Sequence, residues 1–480
     1  MTYPNLIPVL PEIFMAIMIL VLLMVDAFTR ESQKGLNLAI TLITLVGCFV
    51  LQRYVDHGVT QLTFNNMFIL DNLATGTKLF TYLFSFVTVL YIKRYVSDKK
   101  FQTGEFYAIF LFSILGMMVM ISADNMLVLY VGLELFSLAL YGLIALQRDQ
   151  VKATEAAMKY FILGALASGI LLYGISFIYG ATGGYLQLED IIRAMLTHGS
   201  ANQALLSFGL VFIVAGLVFK LGLVPFHMWV PDVYEGSPLA VTTIIGSLTK
   251  IAAVVFLIRF LIGGLVILNP AWSVMLLILA GLSLFFGNII AIAQTNIKRL
   301  LGYSTISHMG FVALGFVTVN VAGISATLFY VITYSLTALA GFGVLTMLSK
   351  GDFECEKLED LKGLSKTHPV YAAILMLVMF SMAGIPPLVG FYAKFKILTA
   401  LVASGFIATA VFAVIMSLIG AFYYIRVVKL MYFDEPVKTL ELADTCVLTR
   451  SVLLVNAILL LVIGVLPSTV MMYCTQLITG

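Results

Sequence analysis

Long apolar runs, each closed by turn residues or charges, recur along the whole chain. Read as helices, they predict about fourteen membrane spans, at roughly 5–28, 35–52, 74–92, 105–122, 125–146, 153–180, 205–228, 237–262, 270–292, 300–319, 321–348, 369–403, 404–431 and 450–476. About 20 consecutive apolar residues cross a bilayer as a helix. The stretches between runs are short even at their longest, near 53–73, 181–204 and 349–368, so residues 1–480 read as a single membrane domain. The first 28 residues carry no basic leader and no small-residue cleavage pattern, and read as a retained first helix.

Composition agrees with the pattern. Of the 480 residues, 61% are hydrophobic and only 11% charged, with a mean hydropathy of +1.07. Soluble domains carry roughly 25% charged residues. The net charge of +3 is small and forms no basic stripe, so nucleic acid is not an expected partner. The cysteines Cys48, Cys355, Cys446 and Cys474 are scattered and form no C-x-x-C pair, which argues against zinc and iron–sulfur sites.

Lys and Arg fall unevenly between the runs. The stretches after odd-numbered spans hold most of the 27, including Arg30, Lys34, Lys93, Arg94, Lys99, Lys100, Arg148 and Lys152 in the first half. Further along the same side come Lys298, Arg299, Lys350, Lys357, Lys362, Lys366, Arg426, Lys429, Lys438 and Arg450. The opposite side has only Arg53, Arg193 and Arg259. The positive-inside rule puts the basic side in the cytoplasm or an organelle matrix, with both termini outward. An even number of spans satisfies that arrangement.

Six lysines remain within the spans: Lys78, Lys159, Lys220, Lys250, Lys394 and Lys396. A central membrane lysine costs about 2.5–3.5 kcal/mol even on the lenient insertion scale. Lys78 and Lys159 lie near span ends, where snorkelling to the headgroups explains them equally well. Lys159 also follows Glu155 by four residues, an ordinary helix-surface pair. Lys396 faces away from Lys394. Lys220 and Lys250 sit deep in their runs and call for a functional reading. Glu134, in LVLYVGLELFSLALYGLIAL, is a mid-span acid, and a buried carboxylate neutralises or finds a cation. Lys220 is the expected partner. Lysines held away from water release protons more readily than in solution, so a line of them can pass protons along. Glu12 and Asp26, near the ends of the first span, need no such role.

Proline interrupts two of these spans. Pro225 in VFKLGLVPFHMWVPDVYEGSP follows Lys220; Pro386 and Pro387 in SMAGIPPLVGFYAKF precede Lys394. Such breaks are tolerated in a membrane only inside protein or beside a water-filled cavity. Transporters built from inverted repeats carry their ion sites at paired broken helices. The two breaks lie five spans apart, so a five-helix repeat would be inverted.

The stretches FKLGLVPFHMWVPDVYEGSP, QTNIKRLLGYSTISHMGF, EAAMKYFILGALASGILLYG and AGIPPLVGFYAKF closely resemble the antiporter-like subunits of proton-pumping NADH:quinone oxidoreductase, respiratory complex I. The resemblance runs from the third span to the thirteenth. It is nearest the N type, because the chain stops after its fourteenth span, carries Lys394 where the M type has a glutamate, and contains EAAMKYFILGALASG.

The resemblance implies an all-α polytopic membrane protein of about 14 helices, with two inverted five-helix repeats (spans 4–8 and 9–13) and broken helices 7 and 12. Residues 1–103 would be flanking helices, 104–262 the first repeat, 270–431 the second, and 450–476 the last helix. It implies a proton path through Glu134, Lys220, Lys250 and Lys394. His308, in YSTISHMG, is a candidate water-mediated relay between Lys250 and Lys394, or equally a packed hydrogen-bonding residue; His227 reads as structural. No cofactor, metal or redox centre is expected on this chain, which has no Gly-rich phosphate loop. The implied partners are other membrane subunits of complex I, M-type and small K-type neighbours among them, in a bacterial inner membrane with both termini periplasmic. Two rivals remain: a subunit of a multi-subunit cation/proton antiporter, and a scaffold with a vestigial charged axis.

Overall fold

The computed structural model describes residues 4–28, 35–99, 101, 103–198, 202–351, 353–437 and 447–480. Arg30, Lys34, Lys100, Lys438 and Cys446 lie outside the described residues. The first half is built from α1 (Leu10–Phe28), α2 (Gly35–Val55), α3 (Asn72–Asp98), α4 (Thr103–Ile121), α5 (Met126–Ala145) and α6 (Val151–Thr182). It continues through α7 (Leu188–His198), α8 (Gln203–Leu221), α9 (Trp229–Gly236) and α10 (Leu239–Leu257). The second half comprises α11 (Asn269–Ile292), α12 (Ile297–Val317), α13 (Val321–Met347), the single turn α14 (Leu364–Thr367), α15 (Pro369–Ala383) and α16 (Val389–Ala403). It closes with α17 (Ile407–Phe433), α18 (Val447–Val465) and α19 (Ser468–Thr479). Among the described residues, 13 helices are long and apolar enough to cross a membrane, and Pro369–Ala383 is a shorter apolar one.

Local sequence sets the helix ends. Asp71, Asn125, Asn296 and Asn320 cap α3, α5, α12 and α13 by accepting first-turn amides. α10, α12 and α13 are wholly buried in their apolar windows and form the centre of the bundle. Around them the helix pairing recurs: α4 packs on α5 as α11 packs on α12, and α8 and α9 pack on α6 as α15 and α16 pack on α13. The α4–α5 contact is close because Gly132 faces the backbone of Met120, where an added Cβ would come within 2.6 Å of its amide nitrogen.

Four expectations need correction. The 205–228 run is helical only to Leu221, so Lys220 lies in the last turn of α8, not deep in a continuous span. The last span is two helices, because Pro467, two residues past Val465, separates α18 from α19. The stretch 53–73 contains a two-stranded hairpin, β1 (Gln61–Thr63) against β2 (Phe68–Leu70), and 181–204 contains the amphipathic α7. Arg259 is no loop residue. It sits in a π-helical turn (Ile258–Ile262) continuing α10, buried, with both guanidinium ends 2.7 Å from the Asp71 carboxylate. Burial alone would raise the Asp71 pKa, but the Arg259 charge and its hydrogen bonds outweigh it and hold the carboxyl below its ordinary range.

Candidate functional site: two helix breaks and their lysines

At the first break, α8 ends on Gly222 (φ 82°), whose left-handed backbone lets the amides of Gly222 and Leu223 both reach the Val218 carbonyl, at 2.9 and 3.0 Å. Pro225 has no N–H, so the Leu221 carbonyl, four residues back, loses its helical donor. The amine of Lys250, from α10, stands 3.4 Å from that oxygen. Ser283 of α11 accepts the Val224 amide at 2.9 Å, and the Trp229 indole N–H donates to the Phe219 carbonyl at 3.0 Å. Side chains from neighbouring helices thus satisfy backbone groups that lipid could not.

The second break is built the same way. α15 ends on Gly384 (φ 86°), and the Phe380 carbonyl accepts from Gly384 and Ile385 at 3.1 and 3.0 Å. Pro386 and Pro387 free the carbonyls of Met382 and Ala383, again four residues back. The Lys394 amine donates to both at 3.0 Å, and to Ser417 of α17 at 2.8 Å. Three donors meet three acceptors. Lys250 is less well provided for: it is fully buried, with the Leu221 carbonyl as its hydrogen-bond partner and the Trp229 ring centroid 5.5 Å away.

Lys220 does not serve its own break. From the last turn of α8 it turns toward α5, 2.5 Å from Ser137 Oγ and 5.0 Å from the Phe136 ring. Glu134, one turn before Ser137 on the same face of α5, is half-buried and accepts from Ser168 of α6. No direct Glu134–Lys220 ion pair forms, contrary to the expected pairing. Each charge is taken by a serine instead, and both line one small cavity with space for about one water.

His308, on α12, is buried, with both ring nitrogens engaged: Nδ1 is 2.7 Å from Tyr330 Oη and Nε2 is 3.0 Å from Tyr424 Oη. Tyr424 continues to Ser304 at 2.5 Å, and Tyr334 to Thr305 at 2.8 Å. A cavity with room for about one water lies between His308 and the second break, bordered by Ser381, Met382 and Ala393. The histidine thus shares this cavity with Met382, whose carbonyl accepts from Lys394. His227 lies within the first break, with Nδ1 buried and unpartnered.

Other charges are more tightly paired than their places along the chain predict. Lys78 does not snorkel; it is fully buried and paired with buried Glu12 of α1, under the Phe68 ring at 4.9 Å. The usable signal was that both charges sit near the same end of their spans. Lys159 makes the expected pair with Glu155 (2.9 Å) and adds one to Asp232 of α9 (2.9 Å). Asp232 also accepts from Arg299 at 2.8 Å, and Arg299 reaches Glu235 at 3.0 Å. Burial opposes ionisation of Asp232, but the hydrogen bonds from Lys159 and Arg299 prevail and hold its carboxyl below the usual range. Lys396 lies apart from Lys394, over the Tyr392 ring. Among the described residues, no group of three or more His, Cys, Asp and Glu side chains is placed to hold a metal ion.

Residues 123–420 match the family described as NADH:quinone oxidoreductase/Mrp antiporter, transmembrane. The chain belongs to that family of antiporter-like membrane subunits. Its near-full-length relatives are NADH-quinone oxidoreductase subunit N: that of Laribacter hongkongensis is 52% identical over 98% of this chain and 97% of its own length. That of Neisseria gonorrhoeae is 50% identical over 98% of both. A chain of respiratory complex I from Thermus thermophilus with bound aureothin has the same fold, with a TM-score of 0.82 and 30% identity over 96% of this chain and 98% of that one. A chain of the Mrp complex from Dietzia sp. DQ12-45-1b, 19% identical with a TM-score of 0.82 over 97% and 96%, shares the fold.

Proposed function

We propose that this chain is a proton-translocating membrane subunit of NADH:quinone oxidoreductase, moving protons through Glu134, Lys220, Lys250 and Lys394 while electrons pass from NADH to quinone in other subunits. One observation carries the reading: at each helix break, a buried lysine amine occupies the carbonyls that proline has freed. A fixed positive charge there stabilises the break. A proton leaving Lys394 leaves two N–H donors for three acceptors, and water must supply the third.

The Glu134–Ser168 and Ser137–Lys220 contacts form the entry couple, with the cavity between them available to a bridging water. Lys250 stands at the middle, with the Leu221 carbonyl at 3.4 Å as its acceptor. His308, with its tyrosines, lies on the way to Lys394. Residues 104–262 and 270–431 are read as two five-crossing repeats of opposite orientation, supported by the recurring helix pairing.

Its partners on this reading are the other membrane subunits of complex I, M-type and K-type neighbours among them, and it carries no redox group of its own. It would reside in a bacterial inner membrane, with the basic face cytoplasmic and both termini periplasmic. Purification from native membranes tests the assignment. The chain should co-purify with NADH-oxidising, quinone-reducing activity; recovery in an assembly that exchanges cations for protons without NADH oxidation would overturn it.

A further inference from the structure

The small cavity that Lys220 lines with Glu134 does not include Lys250. Each amine lies beside one ring of a stacked pair, Tyr160 of α6 and Trp229 of α9, whose centroids are 4.6 Å apart and planes 17° from parallel. The Lys220 amine is 5.7 Å from the Tyr160 ring, and the Lys250 amine 5.5 Å from the Trp229 ring. Both rings are buried, with Tyr141 edge-on to Tyr160 at 4.7 Å and Phe219 beside Trp229 at 5.7 Å. The Trp229 N–H is already committed to the Phe219 carbonyl. Stacked aromatic faces offer a proton no chain of donors and acceptors, and they exclude water.

The stack is tied from outside. Trp229 opens α9, and Asp232 follows it by one turn. Asp232 bonds Lys159, the immediate neighbour of Tyr160 on α6, and Arg299 at the start of α12. The same two short stretches, 159–160 and 229–232, therefore carry both the ring pair and the ion bridge. α9 is only eight residues long, with the Pro225 break before it and Ser237–Pro238 after it, and it packs between α6 and α12. The cleft over the bridge is open and lined by Lys152, Glu155, Lys159, Asp232, Glu235 and Arg299. Such half-exposed ion pairs are individually weak, which suits contacts that must part and re-form.

We infer that the Tyr160–Trp229 stack is the gate between Lys220 and Lys250, and that the Asp232–Lys159 and Asp232–Arg299 contacts latch it shut through α9. The inference rests on the proton path proposed above. Lys220 and Lys250 exchange protons only when α9 swings away from α6 and water enters between the rings. With the latch closed, a proton that has reached Lys250 cannot return.

The test uses the assembled complex in sealed membrane vesicles and measures how fast an imposed pH gradient decays without NADH. Trp229→Ala should speed the decay severalfold, and adding Lys250→Met should return it to the wild-type rate. Asp232→Asn should speed it less, Asp232→Glu should restore it, and Trp229→Phe, which keeps a ring on Tyr160, should leave it slow. If Trp229→Ala prevents assembly, the Asp232→Asn and Asp232→Glu pair decides. Wild-type decay in Asp232→Asn overturns the latch, and wild-type decay in an assembled Trp229→Ala complex overturns the gate. A leak that survives Lys250→Met overturns its position between the lysines. Failure of the path itself is read separately, from NADH-driven pumping in the Lys250→Arg complex.

Discussion

The amine of Lys394 lies 3.0 Å from the carbonyl oxygen of Ala383, the acceptor that Pro387 deprives of its helical donor. This relationship explains why a lysine accompanies a proline in so apolar a helix. The break creates buried acceptors, and the lysine supplies donors for them. Replacing Pro387 with alanine restores an amide that competes for that carbonyl. NADH-driven acidification of vesicles bearing Pro387→Ala should fall although the complex assembles; wild-type rates would contradict the role of the break. Lys394→Met should fare worse, because unpaired buried groups cost about 1–3 kcal/mol each.

The serines between Glu134 and Lys220 make a second expectation. Ser137→Ala removes the acceptor 2.5 Å from the Lys220 amine, and Ser168→Ala removes the donor to Glu134. Each should lower pumping severalfold, less than Glu134→Ala or Lys220→Ala. Normal pumping in both charge deletions would reject this couple as the entry.

Glu12 and Lys78 are predicted to matter for stability and not for transport. Breaking a buried pair by removing one partner costs roughly 3–5 kcal/mol, whereas an apolar replacement of both is often neutral. Lys78→Met alone should lower the temperature at which the complex dissociates, and Glu12→Leu with Lys78→Met should recover most of the loss. Protons pumped per electron should be unchanged in whatever complex assembles; a lowered ratio in the double variant would show that the pair takes part in transport.

Asp124 offers a pH test at the start of α5. It precedes α5, and burial lifts its pKa to about 6, against the opposing charge of Arg259. A carboxyl raised above its unfolded value binds its proton better in the folded state. Its contribution is therefore complete below about pH 4 and lost as pH rises through 6. Asp124→Asn should raise thermal stability above pH 7 relative to wild type, with the difference shrinking toward pH 5. A pH-independent difference would count against the assignment.

Much of this architecture was legible because lipid leaves few options for charge and for interrupted backbone. Lys250, Lys394 and the proline breaks stood out in the sequence because each is costly in an apolar span. The partners were less legible. Ser137, Ser168, Ser283 and Ser417 are ordinary small residues in membrane helices, and only packing reveals which of them face a charge. The expected Glu134–Lys220 contact failed for the same reason, since a serine one turn along α5 reaches the amine first. Pro467 interrupts its run as Pro225 does, but no charge nearby marks it as a break. Glu12 and Lys78 each looked like a span-end residue, and nothing local joins α1 to α3. Trp229 and Tyr160 read as core aromatics, because stacking between α6 and α9 is a tertiary fact.

The central claim is that Lys250 relays protons and does more than hold a fixed charge beside the first break. Arginine separates the two roles, since guanidinium keeps the charge and donates to the Leu221 carbonyl but does not release a proton at physiological pH. The measurement is NADH-driven proton uptake by vesicles reconstituted with the Lys250→Arg complex, set against its rate of quinone reduction. The account predicts that this subunit's share of pumping is lost while electron transfer continues. Near-normal proton uptake per electron would contradict it and leave Lys250 a fixed electrostatic role.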